Sequence, residues 1–124
     1  VHLPGHVPDP SAAVGLFDLF ALSSDSEQAP LSVLEAMAAG LAVASPAVGD
    51  IAEMVSEPNR AFITPPGDDA ALGNAIAALA ADDAQRRRIG DANRIRARED
   101  FDESVMASRY AALYARAMGR TSFP

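Results

Sequence analysis

The residues best suited to chemistry lie where an apolar run gives way to a predicted helix. Residues 24–40 read SDSEQAPLSVLEAMAAG, and this pattern predicts a helix over 31–39 that follows Pro30 and ends at Gly40. The first backbone amides of a helix have no intrahelical acceptor and carry a partial positive charge, so the amides of residues 31–33 could hold a phosphate or diphosphate. Pro30, taken as the first helical residue, donates no hydrogen bond but fixes the entry angle. An ordinary helix start without a ligand is the alternative.

Two carboxylates flank this predicted phosphate site. Glu27 lies in the loop before the helix, and Glu35 lies in its second turn. An ionised carboxylate accepts two hydrogen bonds, which suits the vicinal hydroxyls of a sugar or a ribose. A phosphate site between two such carboxylates would fit a nucleotide-sugar. The alternative is that Glu27 is solvated and Glu35 pairs with an arginine.

Composition excludes several other chemistries. The chain has 124 residues, which is the size of one domain, and 49% of them are hydrophobic. It contains no Cys, which excludes disulfides, thiolate zinc sites and thiol catalysis. All 10 basic residues are Arg, so a Schiff-base lysine and a P-loop lysine are excluded as well. The net charge of −7 argues against a nucleic-acid partner. No signal-peptide pattern and no long apolar run is present, so we expect a cytoplasmic protein.

The elements that would position these residues alternate between strands and helices over the first 65 residues. We predict strands at 1–7, 17–22, 42–45 and 60–64, and short helices at 12–15 and 51–55 in addition to 31–39. Helices at 70–81, at 84–98 and from 103 onward make the last part of the chain helical. Such alternation predicts an α/β domain with a parallel sheet flanked by helices. Ligands should then bind at the carboxyl ends of the strands, near Gly5, 23–30 and 45–50.

Side-chain patterns give expectations for three of these helices. Leu31, Leu34 and Ala38 share one face of the helix at 31–39, which is its apolar face. The helix at 84–98 is rich in arginine, and a solvated face paired with nearby Asp and Glu is expected, with contact to anionic lipid or a phosphorylated acceptor as the alternative. The last helix carries an apolar stripe that we expect to be core: Met106, Tyr110, Leu113, Tyr114 and Ala117.

The order of motifs along the chain resembles the family 4 retaining glycosyltransferases of the GT-B fold. The resemblance rests first on Glu27, seven residues, Glu35 and then Ala-Met-Ala-x-Gly. Four further segments keep the family's order and spacing: LPGHV at 3–7, DLFALSS at 18–24, GLAVASPAVGDIAE at 40–53 and FITPPGD at 62–68. This resemblance covers nearly the whole chain and implies a Rossmann-like sheet.

The resemblance implies roles for individual positions. Glu35 would bind the ribose hydroxyls of a UDP- or GDP-sugar donor, and Glu27 would lie near the donor sugar and its developing charge. The backbone at Ala29, Pro30, Leu31 and Ser32 would cradle the diphosphate without a metal ion, and no cofactor is expected. Gly5 and His6 match a loop close to the donor, although a satisfied loop histidine is the alternative for His6. The triplet at 25–27 is too weak to predict an Asp-x-Asp metal site.

The chain also departs from the family's pattern. Gln28 and Ala29 stand where the family often has Gly and an aromatic residue or Gly. Asp50 replaces the second Gly of a Gly-Gly pair and Ala52 replaces a Pro. A carboxylate at Asp50 would repel a diphosphate, which puts the donor geometry there in doubt.

The resemblance further implies that residues 1–124 are an incomplete C-terminal domain. The N-terminal acceptor domain and the first two strands of the C-terminal domain would be absent, and the missing initiator Met agrees with a fragment that is inactive alone. The strand near Leu3 would lack its neighbour and could pair with a second copy as a homodimer. The last helix, which in the family reaches the N-terminal domain, could then leave part of its stripe exposed.

The parent enzyme would transfer a hexose to a glycan or lipid-linked acceptor in envelope polysaccharide or glycolipid synthesis, peripherally at the inner face of the membrane. The alternatives are a nucleotide-sugar epimerase of the same fold and a non-catalytic interaction module. The epimerase would require further acid and base residues, which the sequence does not offer. Retained donor binding through Glu35 would argue against the interaction module.

Overall fold

A three-stranded parallel sheet lies at the centre of the molecule. The structure is a computed structural model, and it describes Leu3 and residues 5–123. The strands are β1 (Phe20–Ala21), β2 (Val43–Pro46) and β3 (Ile63–Thr64), in the spatial order β1-β2-β3. Phe20 pairs with Val43 and Ser45 with Ile63, both in parallel register. The predicted α/β class, with its helical C-terminal segment, is confirmed.

Helices connect the strands and continue after them. Their bounds are α1 (Ser11–Val14), α2 (Leu31–Ala38), α3 (Ile51–Met54), a 3₁₀ helix (Glu57–Phe62), α4 (Asp69–Ala81), α5 (Asp83–Asp100) and α6 (Glu103–Ala117). Three of these helices are capped by aspartate side chains. Asp68 accepts a hydrogen bond from the Ala71 amide, Asp82 from the Gln85 amide and Asp102 from the Ser104 amide.

Helix α2 turns mainly a different face to the core from the predicted apolar face. Val33, Ala36 and Met37 are fully buried, whereas Leu31 is 72% exposed. Of the predicted apolar face, Leu34 packs partly against the core, whereas Leu31 and Ala38 are exposed. Val33, Ala36 and Met37 belong to one buried cluster with Val43 of β2 and Ile51, so the face that α2 buries is set by what packs against it.

Two predicted strands are shorter than expected. The apolar run at 17–22 contributes the two residues of β1, and residues 60–62 belong to the 3₁₀ helix instead of β3. At Val43, where β3 does not pair with β2, a side chain supplies the missing hydrogen bonds. Asn59 accepts a hydrogen bond from the Val43 amide at 2.9 Å and donates one to the Val43 carbonyl at 2.7 Å. Because this amide supplies both bonds of a strand neighbour, β3 need not extend further.

The predicted strand at 1–7 is not found where the structure describes the chain. Leu3 and residues 5–7 lie outside regular structure, and Leu3 is 89% exposed. Val1, His2 and Pro4 lie outside the described residues. A strand without a neighbouring strand has no acceptors for its amides, which explains the irregular backbone. The homodimer expected through this strand stays untested.

A polar network joins α5 to the sheet in the core. The fully buried Asn93 donates to the Leu41 carbonyl at 2.8 Å and to Asn59 Oδ1 at 2.8 Å. Its own Oδ1 accepts hydrogen bonds from the Ser56 amide and hydroxyl at 3.0 and 2.6 Å. Asn93 thus links α5 to two segments that precede it by 37 and 52 residues.

Helices α2 and α5 meet at two glycines. A Cβ placed on Gly90 of α5 would lie 1.9 Å from the Gly40 carbonyl oxygen, so Gly90 lets α5 approach the end of α2. Gly40 has a φ of +80° and ends α2 as predicted.

Several arginines of α5 form ion pairs or hydrogen bonds with residues near them. Arg87 pairs with Asp83 at 2.8 Å, and Arg94 pairs with Asp91 at 2.8 Å. Arg86 donates to the Leu79 and Ala80 carbonyls that end α4, and Arg96 donates to the Glu53 and Met54 carbonyls at the end of α3. The expected pairing with nearby acidic groups is confirmed, and two of these arginines also cap neighbouring helices.

The apolar stripe of α6 faces outward, and the expectation that it forms core was wrong. Met106, Tyr110, Leu113 and Tyr114 are each about half exposed, at 50, 53, 47 and 51%. The buried residue of α6 is Ala115. Tyr110 stacks on Tyr114 with ring centroids 6.3 Å apart, so the stripe packs along its own helix. In the described part of the chain, no helix is both long and apolar enough to cross a membrane.

Candidate functional site

The candidate site lies at the edge of the sheet where the strands end. The Leu22 amide donates to the Ala44 carbonyl at 3.0 Å, so the loop after β1 leaves the sheet beside β2. Helix α2 begins at the end of this loop, and α3 begins after the loop that follows β2. The predicted loops 23–30 and 45–50 therefore lie at the same edge, where α/β proteins bind ligands.

The start of α2 presents free backbone amides. Pro30 is buried and precedes the helix with extended backbone (ψ 122°), so it is the cap residue and not the first helical residue as predicted. The Val33 amide donates to the Pro30 carbonyl at 3.1 Å, which removes one of the three predicted phosphate donors. No described residue accepts a hydrogen bond from the amides of Ala29, Leu31 or Ser32. These three N–H groups are available to an anion.

The two glutamates lie on either side of these amides along the chain. Glu27 is half-buried in the loop, and Glu35 is exposed one turn into α2. Neither carboxylate forms an ion pair or a side-chain hydrogen bond with a described residue. The alternative in which Glu35 pairs with an arginine is thus not found in the part of the chain that the structure describes, and both carboxylates remain available to hydroxyl groups.

A groove of about 500 Å³ runs between α2 and α5 beside Glu35. Its lining residues are Leu34, Glu35, Ala38, Arg94, Ala97, Arg98, Phe101 and Asp102. Two of them, Arg94 and Arg98, bring positive charge to the wall provided by α5. Hydrogen bonds from the Ser104 hydroxyl and amide, aided by the charge of Arg98, lower the pKa of Asp102 below its ordinary value. The groove therefore combines cations, carboxylates and an apolar floor.

The two loops of the site contact each other through their backbones. The Asp50 amide donates to the Gln28 carbonyl at 2.7 Å. Gly49 has a φ of +56°, and a Cβ placed on it would lie 2.1 Å from the same carbonyl oxygen. The Asp50 carboxylate is exposed at this edge as well. Its expected repulsion of a diphosphate stays a prediction.

Gly5 and His6 form no described backbone hydrogen bond with α2. Both are exposed in the irregular segment before α1, and their predicted role at the donor stays a prediction. Among the described residues, no three His, Asp or Glu side chains converge as metal ligands.

Sequence reasoning missed the groove arginines and the contact made by Gly49. Arg94 and Arg98 are spaced four residues apart, which places them on one face of α5, and that spacing was the available signal. Nothing in the sequence places α5 beside α2, apart from the isolated Gly90 within a helical pattern, which marks close packing.

Comparison with known proteins decides the family. A family model described as "Glycosyl transferases group 1" matches residues 1–96. The chain belongs to the group 1 glycosyl transferases. The matched residues include the sheet, α2 and most of α5.

Two relatives of this group 1 domain span much longer chains. One is N-acetyl-alpha-D-glucosaminyl L-malate synthase of Bacillus anthracis, 28% identical over 101 residues that make up 82% of this chain and 26% of that protein. The other is the solved structure of sucrose-phosphate synthase from Thermosynechococcus elongatus, with a TM-score of 0.68 and 31% identity over 80% of this chain and 25% of that one. The chain therefore spans about a quarter of the length of either relative.

Proposed function

We propose that this chain is the nucleotide-sugar-binding part of a family 4 retaining glycosyltransferase. The parent protein would transfer a hexose from a UDP- or GDP-sugar to a glycan or lipid-linked acceptor, in the cytoplasm or peripherally at the inner face of the membrane. The single observation that carries the proposal is the start of α2 in a group 1 domain, where free amides lie between two unpaired glutamates. The acceptor domain would belong to the remainder of the parent, so the chain alone would not catalyse transfer.

The diphosphate of the donor would bind at the start of α2. The amides of Ala29, Leu31 and Ser32 would donate hydrogen bonds to its oxygens, and the positive end of the helix dipole would add attraction. Arg94 and Arg98, in the groove beside Glu35, supply further positive charge near the nucleotide. This donor set has the chemistry to hold a diphosphate without a metal ion.

Each of the two glutamates would lie beside a different sugar of the donor. Glu35 would accept hydrogen bonds from the 2′ and 3′ hydroxyls of the ribose, one turn beyond the phosphate amides. Glu27 would lie near the transferred hexose. When the bond to the diphosphate breaks, positive charge develops on the sugar ring, and a carboxylate nearby stabilises it. A retained anomeric configuration in the product is expected.

Calorimetric titration tests donor binding directly. The chain is titrated with UDP, GDP and their hexose conjugates, together with Glu35→Gln and the matched control Glu99→Gln, which changes an exposed glutamate on α5. We expect saturable binding of one nucleotide by the unchanged chain. Loss of hydrogen bonds to a charged group should weaken it about tenfold or more in Glu35→Gln. The control should bind as the unchanged chain does.

The outcome also separates the alternatives. A folded chain that binds none of these nucleotides at millimolar concentration would contradict the donor-binding proposal and favour an interaction module. With the parent protein, an epimerised nucleotide-sugar in place of a glycosylated acceptor would favour the epimerase. A product with inverted anomeric configuration, measured by NMR, would contradict the retaining assignment.

A further inference from the structure

The loop that carries Glu27 is held by the backbone of a second loop. A Cβ placed on Gly49 would lie 2.1 Å from the Gln28 carbonyl oxygen and 2.7 Å from the Glu27 carbonyl oxygen. The next residue, Asp50, donates its amide hydrogen to the Gln28 carbonyl at 2.7 Å. Two consecutive carbonyl groups of the Glu27 loop are therefore in direct contact with residues 49–50, and any side chain at position 49 would displace them.

The loop with Gly49 is anchored firmly to the core. Ala47 donates to the Thr64 carbonyl of β3 at 2.8 Å, and Val48 donates to the Pro46 carbonyl at 2.9 Å. The Val48 side chain is buried, and so is Ile51 at the start of α3. This loop therefore has a fixed position relative to the sheet, set by strand β3 and the core.

The Glu27 loop has few other contacts of its own. Asp25, Ser26, Gln28 and Ala29 are exposed, and no described side-chain hydrogen bond joins residues 23–29 to the rest of the molecule. Its backbone position between β1 and Pro30 thus depends on the contact with residues 49–50. We propose that Gly49 and the Asp50 amide are positioning residues for Glu27, fixing the carboxylate that faces the transferred sugar. This inference rests on the proposed function.

A second glycine serves as a control that distinguishes the effect of this contact from the effect of backbone strain. Gly67 also has a left-handed backbone, with a φ of +76°, but a Cβ there would meet nothing within 4 Å. Gly67→Ala and Gly49→Ala therefore impose similar strain from the positive φ. Gly49→Ala alone adds a collision with the Glu27 loop.

The test compares these two variants by hydrogen exchange and by calorimetry. In Gly49→Ala, the Asp50 amide, which donates to the Gln28 carbonyl that the added Cβ would displace, should exchange at least tenfold faster than in Gly67→Ala. The affinity for the nucleotide-sugar should fall at least tenfold more than the affinity for the free nucleotide, because Glu27 faces the sugar and Glu35 the ribose. A purely structural role would lower both affinities together.

Each result decides a different point. Equal exchange and equal affinities in the two variants would overturn the positioning role and leave the proposed function intact. Failure of the unchanged chain to bind any nucleotide-sugar would overturn the proposed function, and with it the role of Glu27, whatever the exchange data show. If Gly49→Ala does not fold, Asp50→Pro removes the donated hydrogen bond instead. Its control is Asp69→Pro, at a helix start whose amide has no described acceptor.

Discussion

The buried side chain of Asn93 forms hydrogen bonds with several segments that are distant in the sequence. It satisfies the Leu41 carbonyl, the Ser56 amide and hydroxyl, and the side chain of Asn59, and all three of these residues are buried. Buried polar groups that lose their partner are strongly unfavourable. The network therefore makes the relative position of α5 and β2 specific as well as stable.

We expect Asn93→Ala to destabilise the domain by about 3 kcal/mol, because it leaves several buried donors and acceptors unpaired. Asn74→Ala is the matched control, since Asn74 is exposed on α4 and alanine favours a helix there. Urea denaturation followed by circular dichroism measures both. A loss below about 0.5 kcal/mol in Asn93→Ala would contradict the role of the network.

The sequence could predict the two glutamates and the helix start that lies between them, because those signals are local. It did not predict the Asn93 network, whose partners lie 34 to 52 residues away. One signal was available, since Asn93 interrupts an apolar series at four-residue spacing, Ile89 and Ala97 being its buried neighbours. A polar residue in such a series indicates a buried hydrogen-bond network.

At the scale of elements, helix starts were predictable and buried faces were not. Asp68, Asp82 and Asp102 cap helices, and such starts can be predicted because an N-cap acts within three residues. The buried face of α2 and the short strand β3 depend on what packs against them. For β3, the Asn59 side chain takes the place of backbone that a strand would otherwise supply.

The cap of α6 gives a prediction about pH. The pKa of Asp102 is lowered, chiefly by the hydrogen bonds from Ser104, so the cap stabilises α6 fully above the ordinary value of 3.8 and is lost as the pH falls through the lower folded value. We expect the first turn of α6 to fray in that acidic window. NMR chemical shifts of Ser104 and its neighbours would follow it.

The matched variant for this cap is Asp102→Asn. Asparagine is also a good N-cap but does not titrate, so the first turn of α6 should stay ordered through the same pH range. Identical pH dependence in the variant and the unchanged chain would show that another group is responsible.

At the scale of the whole molecule, stability resides in the sheet and the helices that cover it. Leu79 and Ile89 are fully buried beside β2, whereas the stripe of α6 is half exposed. The last helix therefore adds little to the packing of the core.

We expect Leu79→Ala to destabilise the domain by about 3 kcal/mol through the cavity that it leaves. Leu113→Ser should change stability by less than about 0.5 kcal/mol, since this leucine is on an exposed part of α6. Denaturant titration of both variants at low protein concentration compares them. A large loss in Leu113→Ser would mean that the stripe is covered in solution.

The Asn93 network also has a consequence for biosynthesis. Leu41 and Ser56 form hydrogen bonds with Asn93 of α5, which is synthesised later. Contacts between residues that are distant in the sequence form slowly. While α5 is still inside the ribosome, the emerging strands have unpaired buried groups and an uncovered apolar face. The arginine-rich helix must therefore leave the ribosome before the sheet can complete its folding, so a chain stalled before residue 93 would be a substrate for chaperones.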